Sequence, residues 1–199
     1  MRLGIFGGTF DPPHVGHLLA ASDAFEALAL DRLLFVPANV QPLKAGATST
    51  PPALRLRMVE LLVGDDPRFG VDPVEVERRG ISFTVDTLRQ LGSAHPGAAL
   101  HFIVGMDVLE SFDRWREPEE VLRLSQLVLV HRPGSAAAAS AALQRIIARG
   151  HAQLPRVLET RAIDVSATEI RARVARGLSI HGFVPDAVAA VIASAGLYR

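Results

Sequence analysis

The 199-residue sequence contains no cysteine, and this absence excludes disulfides, thiolate nucleophiles and zinc sites built on cysteine. It also lacks an excess of either charge: 21 Lys and Arg residues balance 21 Asp and Glu residues. A broad positive field that could hold a nucleic-acid backbone is therefore absent, and we expect no nucleic-acid partner. Any anion site in this protein must be built locally.

Long apolar runs are lacking as well. No stretch approaches the roughly 20 apolar residues that a membrane-spanning helix needs, so we expect no membrane partner. The apolar run after Arg2 is broken by Gly7 and Gly8 and is too short for a signal peptide. Because 49% of the residues are hydrophobic, the chain can still bury an ordinary core. The sequence predicts a cytoplasmic protein with one domain over residues 1–199.

Short β-rich runs alternate with longer helical stretches, which is typical of a parallel sheet wrapped by helices. The predicted strands are Leu3–Phe6, Leu33–Val36, Leu100–Val104 and Leu127–Val130, with weaker ones near Val71–Val76 and Ala162–Val165. Most of these runs lack polar alternation, as strands covered on both faces do. The predicted fold is an α/β fold with a doubly wound parallel sheet and helices on both faces.

Helical periodicity marks the connections between these strands. It covers Val15–Leu30, Ala53–Val63 and Ala136–Ala148. The least structured connection is Pro37–Pro52, where we expect a loop beside a site.

A small C-terminal helical segment is predicted over about residues 166–199. Ser166 and Glu169 have the spacing of a capping box, which marks a helix start. Pro185 and Gly196 then bracket a final helix over Asp186–Ala195.

The strongest functional signal is the turn after the first predicted strand. It reads Gly7-Gly8-Thr9-Phe10-Asp11-Pro12-Pro13-His14-Val15-Gly16-His17. In a parallel α/β sheet, ligands bind beyond the carboxyl ends of the strands, where helix N-termini present N–H groups. The two glycines let a phosphate approach the main chain, and the two imidazoles should share one face of the first helical turn. The turn is a candidate phosphate site.

Other interpretations of this turn can be tested by comparing its sequence with known motifs. It does not read G-x-G-x-x-G, and no Lys-Ser/Thr pair follows a glycine, which disfavours hydride transfer and P-loop hydrolysis. Zinc ligation by His14 and His17 would need i, i+4 spacing with a Glu, or a third ligand, so we expect no protein-held metal. Zinc stays an alternative, as does a purely structural role for both histidines.

Two segments resemble the signatures of the nucleotidylyltransferase superfamily. Residues 7–17 are similar to G-x-F-x-P-x-H-x-G-H, and Val165-Ser166-Ala167-Thr168-Glu169-Ile170-Arg171 is similar to I-S-x-T-x-I-R. Between them, five segments have the order and spacing of the bacterial nicotinate-nucleotide adenylyltransferase family: Pro37–Asn39, Ile81–Thr84, Gly105–Asp107, Phe112–Trp115 and His131–Gly134. With Phe183-Val184-Pro185, the resemblance covers nearly the whole chain.

The resemblance implies a Rossmann-like fold and transfer of an adenylyl group from ATP to nicotinate mononucleotide. The products would be deamido-NAD and pyrophosphate, in NAD biosynthesis. In-line phosphoryl transfer needs positioning and charge neutralisation rather than a protein nucleophile. Histidine, lysine, arginine and main-chain N–H donors suit these tasks, so the residue types support this chemistry independently of the resemblance. Mg²⁺ is expected to arrive on the ATP phosphates. The oligomeric state stays open, and a homodimer is one option.

The resemblance also assigns site residues. His14 and His17 are implied as catalytic residues that contact the ATP phosphates and stabilise the transition state. Those implied to bind ATP are Gly7, Gly8, Thr9, Phe10, His14, His17, Asp107, Ser166, Thr168 and Arg171. Those implied to bind the nicotinate nucleotide are Thr9, Asn39, Lys44, Thr84, Trp115 and Arg116.

Several of these residues also have an ordinary structural interpretation. Ser166 and Thr168 could cap a helix while binding phosphate, and Asp107 or Thr84 could be helix caps. Trp115 could pack in the core, although its polar surroundings favour a surface that stacks on a pyridine ring.

Rival functions remain at this point. One is another reaction of the superfamily, such as that of a pantetheine-phosphate adenylyltransferase or a cytidylyltransferase. The other is a nucleotide-binding regulator without catalysis. The chain departs from the family pattern at Gln41-Pro42-Leu43-Lys44, where Pro-Pro-His-Lys is usual, which changes the surroundings of Lys44.

Overall fold

The computed structural model describes residues 1–42, 50–131, 143–144, 146–147 and 154–199. Its strands are β1 (Arg2–Gly8), β2 (Arg32–Pro37), β3 (Phe69–Val71), β4 (Ala99–Gly105), β5 (Gln126–His131) and β6 (Arg156–Glu159). All pair in parallel in one sheet with the order β3–β2–β1–β4–β5–β6. The strand order reverses at β1, which confirms the doubly wound, Rossmann-like fold.

Helices connect the strands. They are α1 (Val15–Ala27), α2 (Pro52–Val63), α3 (Val74–Arg78), α4 (Thr84–Ala94), a 3₁₀ segment (Met106–Arg114), α5 (Pro118–Leu124), α6 (Ala167–Ala175) and α7 (Asp186–Ser194). The helix predicted over Ala136–Ala148 falls largely outside the described residues. Over the described part of the chain, no helix has the length and apolar character needed to cross a bilayer.

Successive residues of the central strands enter two separate cores. In β2, Leu34 and Val36 pack into the core shared with α4, the 3₁₀ segment and α5, while Leu33 and Phe35 pack into the core shared with α1, α2, α6 and α7. This is why the strand sequences lack polar alternation, as predicted.

Helix α1 ends at Ala27, three residues before the predicted end at Leu30. Ala29 adopts a left-handed conformation with φ of 47°. The N–H of Ala29 then donates to the Glu26 carbonyl and that of Leu30 to the Phe25 carbonyl, which is a Schellman ending without glycine.

The two weaker strand predictions are wrong in extent or position. The strand predicted near Val71–Val76 ends at Val71, because the Asp72 carboxylate accepts from the Val74 N–H and a helix begins there. Residues 162–165 form no strand. The last strand is β6, and the chain leaves the sheet where Arg161 binds Asp23 of α1 through its main-chain N–H and guanidinium.

The predicted helical segment over residues 166–199 is confirmed and packs against the sheet beside α1. Ile170 of α6 and Val188 and Ile192 of α7 are buried in the same core as Phe6 of β1. The Val15 N–H at the start of α1 also donates to the Phe183 carbonyl at 3.0 Å. The far end of the sequence is thus docked against the first βα turn.

Stability should fall on acidification because of His101 in β4. Burial, together with the charges of Arg2 and Arg156, holds the pKa of His101 below its ordinary value of 6.5. The unfolded chain therefore binds a proton at a higher pH than the native chain, and stability falls as the pH drops through 6.5. We expect the urea concentration at the midpoint of unfolding to be lower at pH 5.5 than at pH 7.5. His101→Gln should make this difference smaller. His95→Gln is the control; an unchanged slope in His101→Gln would contradict the assignment.

Candidate active site

A cavity of about 820 Å³ opens at the carboxyl ends of β1 and β4. Twelve of the predicted site residues line it: Gly7, Gly8, Thr9, Phe10, His14, His17, Thr84, Asp107, Trp115, Arg116, Ser166 and Thr168. Asn39 and Arg171 lie beside the cavity rather than in its wall, and Lys44 lies outside the described residues. The structure thus brings together residues from both ends of the sequence.

The two histidines of the β1–α1 turn stack on each other. His14 is the N-cap of α1, and His17 lies three residues later in the first turn. Their ring centroids are 3.7 Å apart, with the ring planes inclined by 33°. The His17 Nδ1 accepts a hydrogen bond of 3.1 Å from the His14 N–H. The predicted shared face is confirmed, and the structural interpretation also holds in part because His17 helps to cap α1.

This hydrogen bond fixes the tautomer of His17. A main-chain N–H can only donate, so Nδ1 is the acceptor and the neutral ring carries its proton on Nε2. The donor that His17 can offer to a ligand in the cavity is therefore Nε2–H.

Phe10 supports the histidine pair from the core side. Its ring is buried and meets the His17 ring edge-on, with the centroids 5.0 Å apart. Its φ of 52° lies in the left-handed region, which bulky residues rarely adopt. A Cβ at Gly8 would lie 2.9 Å from this ring, so Gly8 permits the packing. Phe10 thus packs in the core and also lines the cavity.

The start of α6 joins the second signature to the first. The Ser166 Oγ accepts from the Glu169 N–H at 3.1 Å, which confirms the predicted cap. Thr168 does not cap the helix; its Oγ1 accepts from Arg171 Nη2 at 3.2 Å. Arg171 Nη1 donates to the Asp11 carbonyl at 2.7 Å. Arg171 therefore holds the β1–α1 turn as well as standing beside the cavity.

At the opposite wall, Thr84 is the first residue of α4 rather than its cap. Phe83 occupies the N-cap and makes no side-chain capping bond. The cap interpretation of Thr84 is therefore wrong, and the residue lines the cavity at the start of the helix, where the first N–H groups have no acceptor within the helix.

Trp115 fits both interpretations given for it. Its ring packs 6.1 Å from Phe102 and 5.4 Å from Phe112, measured between centroids, and it also lines the cavity. The neighbouring Arg116 side chain is held by Asp86, 3.3 Å away, and lies over the Phe83 ring. Arg116 is thus engaged with the protein surface as well as with the cavity.

Asp107 depends on the glycine two residues before it. Gly105, not Asp107, is the N-cap of the 3₁₀ segment, so the cap interpretation of Asp107 is wrong. A Cβ on Gly105 would lie 2.5 Å from Asp107 Oδ1. Only glycine there leaves the carboxylate in its place at the cavity wall.

Sequence reasoning missed Glu75, which lines the cavity from α3. Burial raises the pKa of Glu75, although hydrogen bonds from the hydroxyls of Thr87 and Ser82 and the charge of Arg78 oppose the shift. The available signal was a carboxylate placed between Val74 and Val76 in a run predicted as a strand.

It also missed Arg55 of α2, which is fully buried. Arg55 lies at i, i+3, i+4 and i+7 with Met58, Val59 and Leu62, which are all buried. A charged residue on an apolar helix stripe could have been singled out from the sequence.

The donor set of the cavity suits an anion better than a resident metal. Over the residues that the structure describes, no cluster of three His, Cys, Asp or Glu side chains could hold a metal ion. The walls instead present imidazoles, hydroxyls and helix N-termini, which are groups that bind phosphate oxygens.

Comparison with known proteins agrees with this geometry. The sequence profile of the cytidylyltransferase-like family matches residues 5–173, so the chain belongs to this family. A relative from Gemmatimonas aurantiaca is 50% identical over 199 residues, which cover 100% of this chain and 93% of the relative. One from Thermus thermophilus is 43% identical over 200 residues and covers 100% of both chains. Both carry the name probable nicotinate-nucleotide adenylyltransferase, and within its family the chain groups with these enzymes.

Solved structures share the fold. The Plasmodium falciparum nicotinic acid mononucleotide adenylyltransferase complexed with APC superposes with a TM-score of 0.75 at 16% identity, over 99% of this chain and 96% of that one. The same enzyme complexed with NaAD gives 0.75 at 17% identity, over 99% and 97%. At these identities the likeness speaks for the fold alone.

Substitutions at Ser166 should separate its capping role from a ligand role. Ser166→Ala should lower the free energy of unfolding by about 1 kcal/mol, because the cap is lost. Ser166→Asp keeps a capping acceptor but adds negative charge where a phosphate would bind. We expect Ser166→Asp to restore stability in urea unfolding without restoring turnover. Full turnover in Ser166→Asp would show that no phosphate approaches this residue.

Proposed function

We propose that this protein transfers the adenylyl group of ATP to nicotinate mononucleotide, releasing pyrophosphate and forming deamido-NAD. The observation that carries the proposal is the meeting of two distant signature segments, at His14 and His17 and at Ser166 and Thr168, in the wall of one cavity. The names of the full-length relatives supply the substrates. Residues 1–199 would act as one nucleotidylyltransferase domain, and we expect it in the cytoplasm.

The phosphates of ATP would lie over the β1–α1 turn. His17 would donate through Nε2–H, because its Nδ1 is already an acceptor. His14, stacked on it, would contact the same phosphates, while Ser166 and Thr168 would bind from the start of α6, with Arg171 adjacent. These groups act by positioning the phosphates and stabilising charge in the transition state, so no covalent intermediate is needed. Asp107 would accept from the ribose hydroxyls.

A divalent ion would enter on the nucleotide. The cavity offers imidazole and N–H donors for phosphate oxygens and no carboxylate cluster within the described residues. This donor set fits Mg²⁺ that is already coordinated by the ATP phosphates, where it would neutralise charge.

The acceptor's pyridine ring would lie against Trp115, with its carboxylate at the start of α4. There the Thr84 hydroxyl and the first N–H groups of the helix are donors, and the helix dipole favours an anion. Burial raises the pKa of Glu75, which lines the same cavity, and this shift favours the neutral form of its carboxyl group. Asn39 and Arg116 stay in this proposal as contacts of the nicotinate nucleotide, and Lys44, which lies outside the described residues, stays a prediction.

A pyrophosphate-release assay tests the proposal directly. The protein would be supplied with ATP, Mg²⁺ and one of nicotinate mononucleotide, its amide analogue or phosphopantetheine, and with CTP in place of ATP. We expect release with ATP and nicotinate mononucleotide. Release with CTP or phosphopantetheine would favour one of the rival enzymes. Nucleotide binding by calorimetry without any release would favour the non-catalytic regulator.

Replacing the paired histidines should reduce turnover without unfolding the protein. We expect His14→Ala and His17→Ala each to lower kcat by at least about 100-fold, because each acts mainly on the transition state. His17→Gln, which keeps a neutral donor, should recover part of the loss. The exposed His181→Ala is the control. Near-normal kcat in the double variant His14→Ala/His17→Ala would remove both from the catalytic site.

The acceptor site should prefer the acid to the amide. Donors face the carboxylate, and an uncharged amide would leave them poorly paired, so we expect kcat/KM to favour nicotinate mononucleotide by at least about 100-fold. Thr84→Val should narrow this ratio, whereas Trp115→Ala should reduce the use of both acceptors. Steady-state kinetics at saturating ATP measures the ratio. Equal efficiency with both acceptors in the wild-type protein would contradict the assignment of the carboxylate site.

A further inference from the structure

Arg55 lies beneath the cavity rather than in its wall. It is 1% exposed. Its Nη1 donates to the carbonyls of Thr9 at 2.7 Å and Ala38 at 2.6 Å, and its Nη2 donates to that of Asn39 at 2.8 Å. Its Nε donates to the Thr50 carbonyl at 3.2 Å. One guanidinium thus joins the β1–α1 turn to the segment that follows β2.

The hydrogen bond from Arg55 to the Thr9 carbonyl fixes the orientation of the peptide group between Thr9 and Phe10. In a trans peptide the carbonyl and the N–H point in opposite directions. Because the Thr9 carbonyl points to Arg55, the Phe10 N–H points away from Arg55. Phe10 is also held at a φ of 52°, a strained conformation that persists only when its surroundings enforce it.

Tyr198 holds the same turn at the next residue. Its hydroxyl donates to Asp11 Oδ1 at 2.6 Å and accepts from Thr50 Oγ1 at 3.2 Å. Tyr198 itself has a φ of 63°, so a second bulky residue is held in the left-handed region where this contact is made. Burial and the hydrogen bond to Asp11 raise the pKa of the Tyr198 hydroxyl, so it remains a donor at any working pH.

The charges of this group compensate one another. Burial lowers the pKa of Arg55, and the carboxylate of Asp11, which is also buried, opposes this shift. Within the described residues, the Arg55 guanidinium hydrogen-bonds only to main-chain carbonyls. Removing either charge would leave the other buried without compensation.

We propose that Arg55 and Tyr198 are positioning residues for adenylyl transfer: through Thr9 and Asp11 they hold the turn at residues 9–11 in the conformation that binds the transferring phosphates. The inference rests on the proposed function for what the turn binds. Neither side chain touches the ligand. Their effect should therefore appear in kcat, because the turn acts on the transition state. Replacing Tyr198, which acts through Asp11, should leave the KM for nicotinate mononucleotide unchanged, whereas replacing Arg55, which also holds the carbonyls of Thr9 and Asn39, should change that KM as well.

A double-mutant cycle between Tyr198 and Asp11 tests the proposal. Tyr198→Phe removes only the hydroxyl, and we expect kcat to fall about 10-fold with the KM for nicotinate mononucleotide within about two-fold. In an Asp11→Ala background the same change should cost less than about two-fold, because its partner is gone. Each variant is assayed at a temperature where circular dichroism shows it fully folded. Equal losses in both backgrounds would overturn the proposal.

Arg55→Lys provides a second arm, and Ser194→Ala the control. A lysine keeps the charge but offers one nitrogen in place of three, so it cannot bond to all four carbonyls that Arg55 contacts. We therefore expect kcat to fall at least as far as in Tyr198→Phe. Ser194→Ala removes a hydroxyl from the exposed end of α7 and should keep wild-type kcat. Wild-type kcat in folded Tyr198→Phe would overturn the proposal while leaving the proposed function intact. Absence of adenylyl transfer in the wild-type protein would instead reject the function.

Discussion

A single hydrogen bond, from Arg171 to the Asp11 carbonyl, joins parts of the chain that are 160 residues apart. It is backed by the bond from the Val15 N–H to the Phe183 carbonyl and by the burial of Ile170 and Val188 against the sheet. The apolar contacts supply most of the docking energy, and the polar contacts fix its geometry. The cavity forms only when the C-terminal helices are docked against the β1–α1 turn, since its walls come from both ends of the sequence.

Charged side chains have three different environments in this protein: the surface, the interior and the cavity wall. Arg89 forms ion pairs with Asp86, Glu117 and Glu120 on the surface, where such pairs add little to stability. Inside, Arg55 is surrounded by carbonyls and compensated by Asp11. Between these layers, the cavity wall combines imidazoles, hydroxyls and helix N-termini with arginine and carboxylate side chains, so it can receive an anionic ligand although the formal net charge of the chain is +0.

Features that depend on neighbouring residues could be predicted from the sequence, whereas a feature that depends on a distant residue could not. The central strands were predicted because burial on both faces leaves an uninterrupted apolar run within a few residues. β3 and β6 are short edge strands without that signature, and the weak predictions there were misplaced. His14 and His17 were predicted from a local motif. Tyr198 gains its role from Asp11, a partner far along the chain that a local pattern does not contain. Glu75 and Arg55 were visible as charges next to buried apolar residues.

The contact between Asp11 and Tyr198 also has a consequence for biosynthesis. Translation releases β1 and its turn first, whereas the hydroxyl that bonds to Asp11 emerges 187 residues later. The sheet can begin to form on the ribosome as its strands appear, because each new strand pairs beside one already made. The turn can reach its final shape only after residue 198 has been released. A nascent chain can therefore form its sheet before the turn has all of its contacts, and a chain that stops short of that residue would lack the bond that holds Asp11.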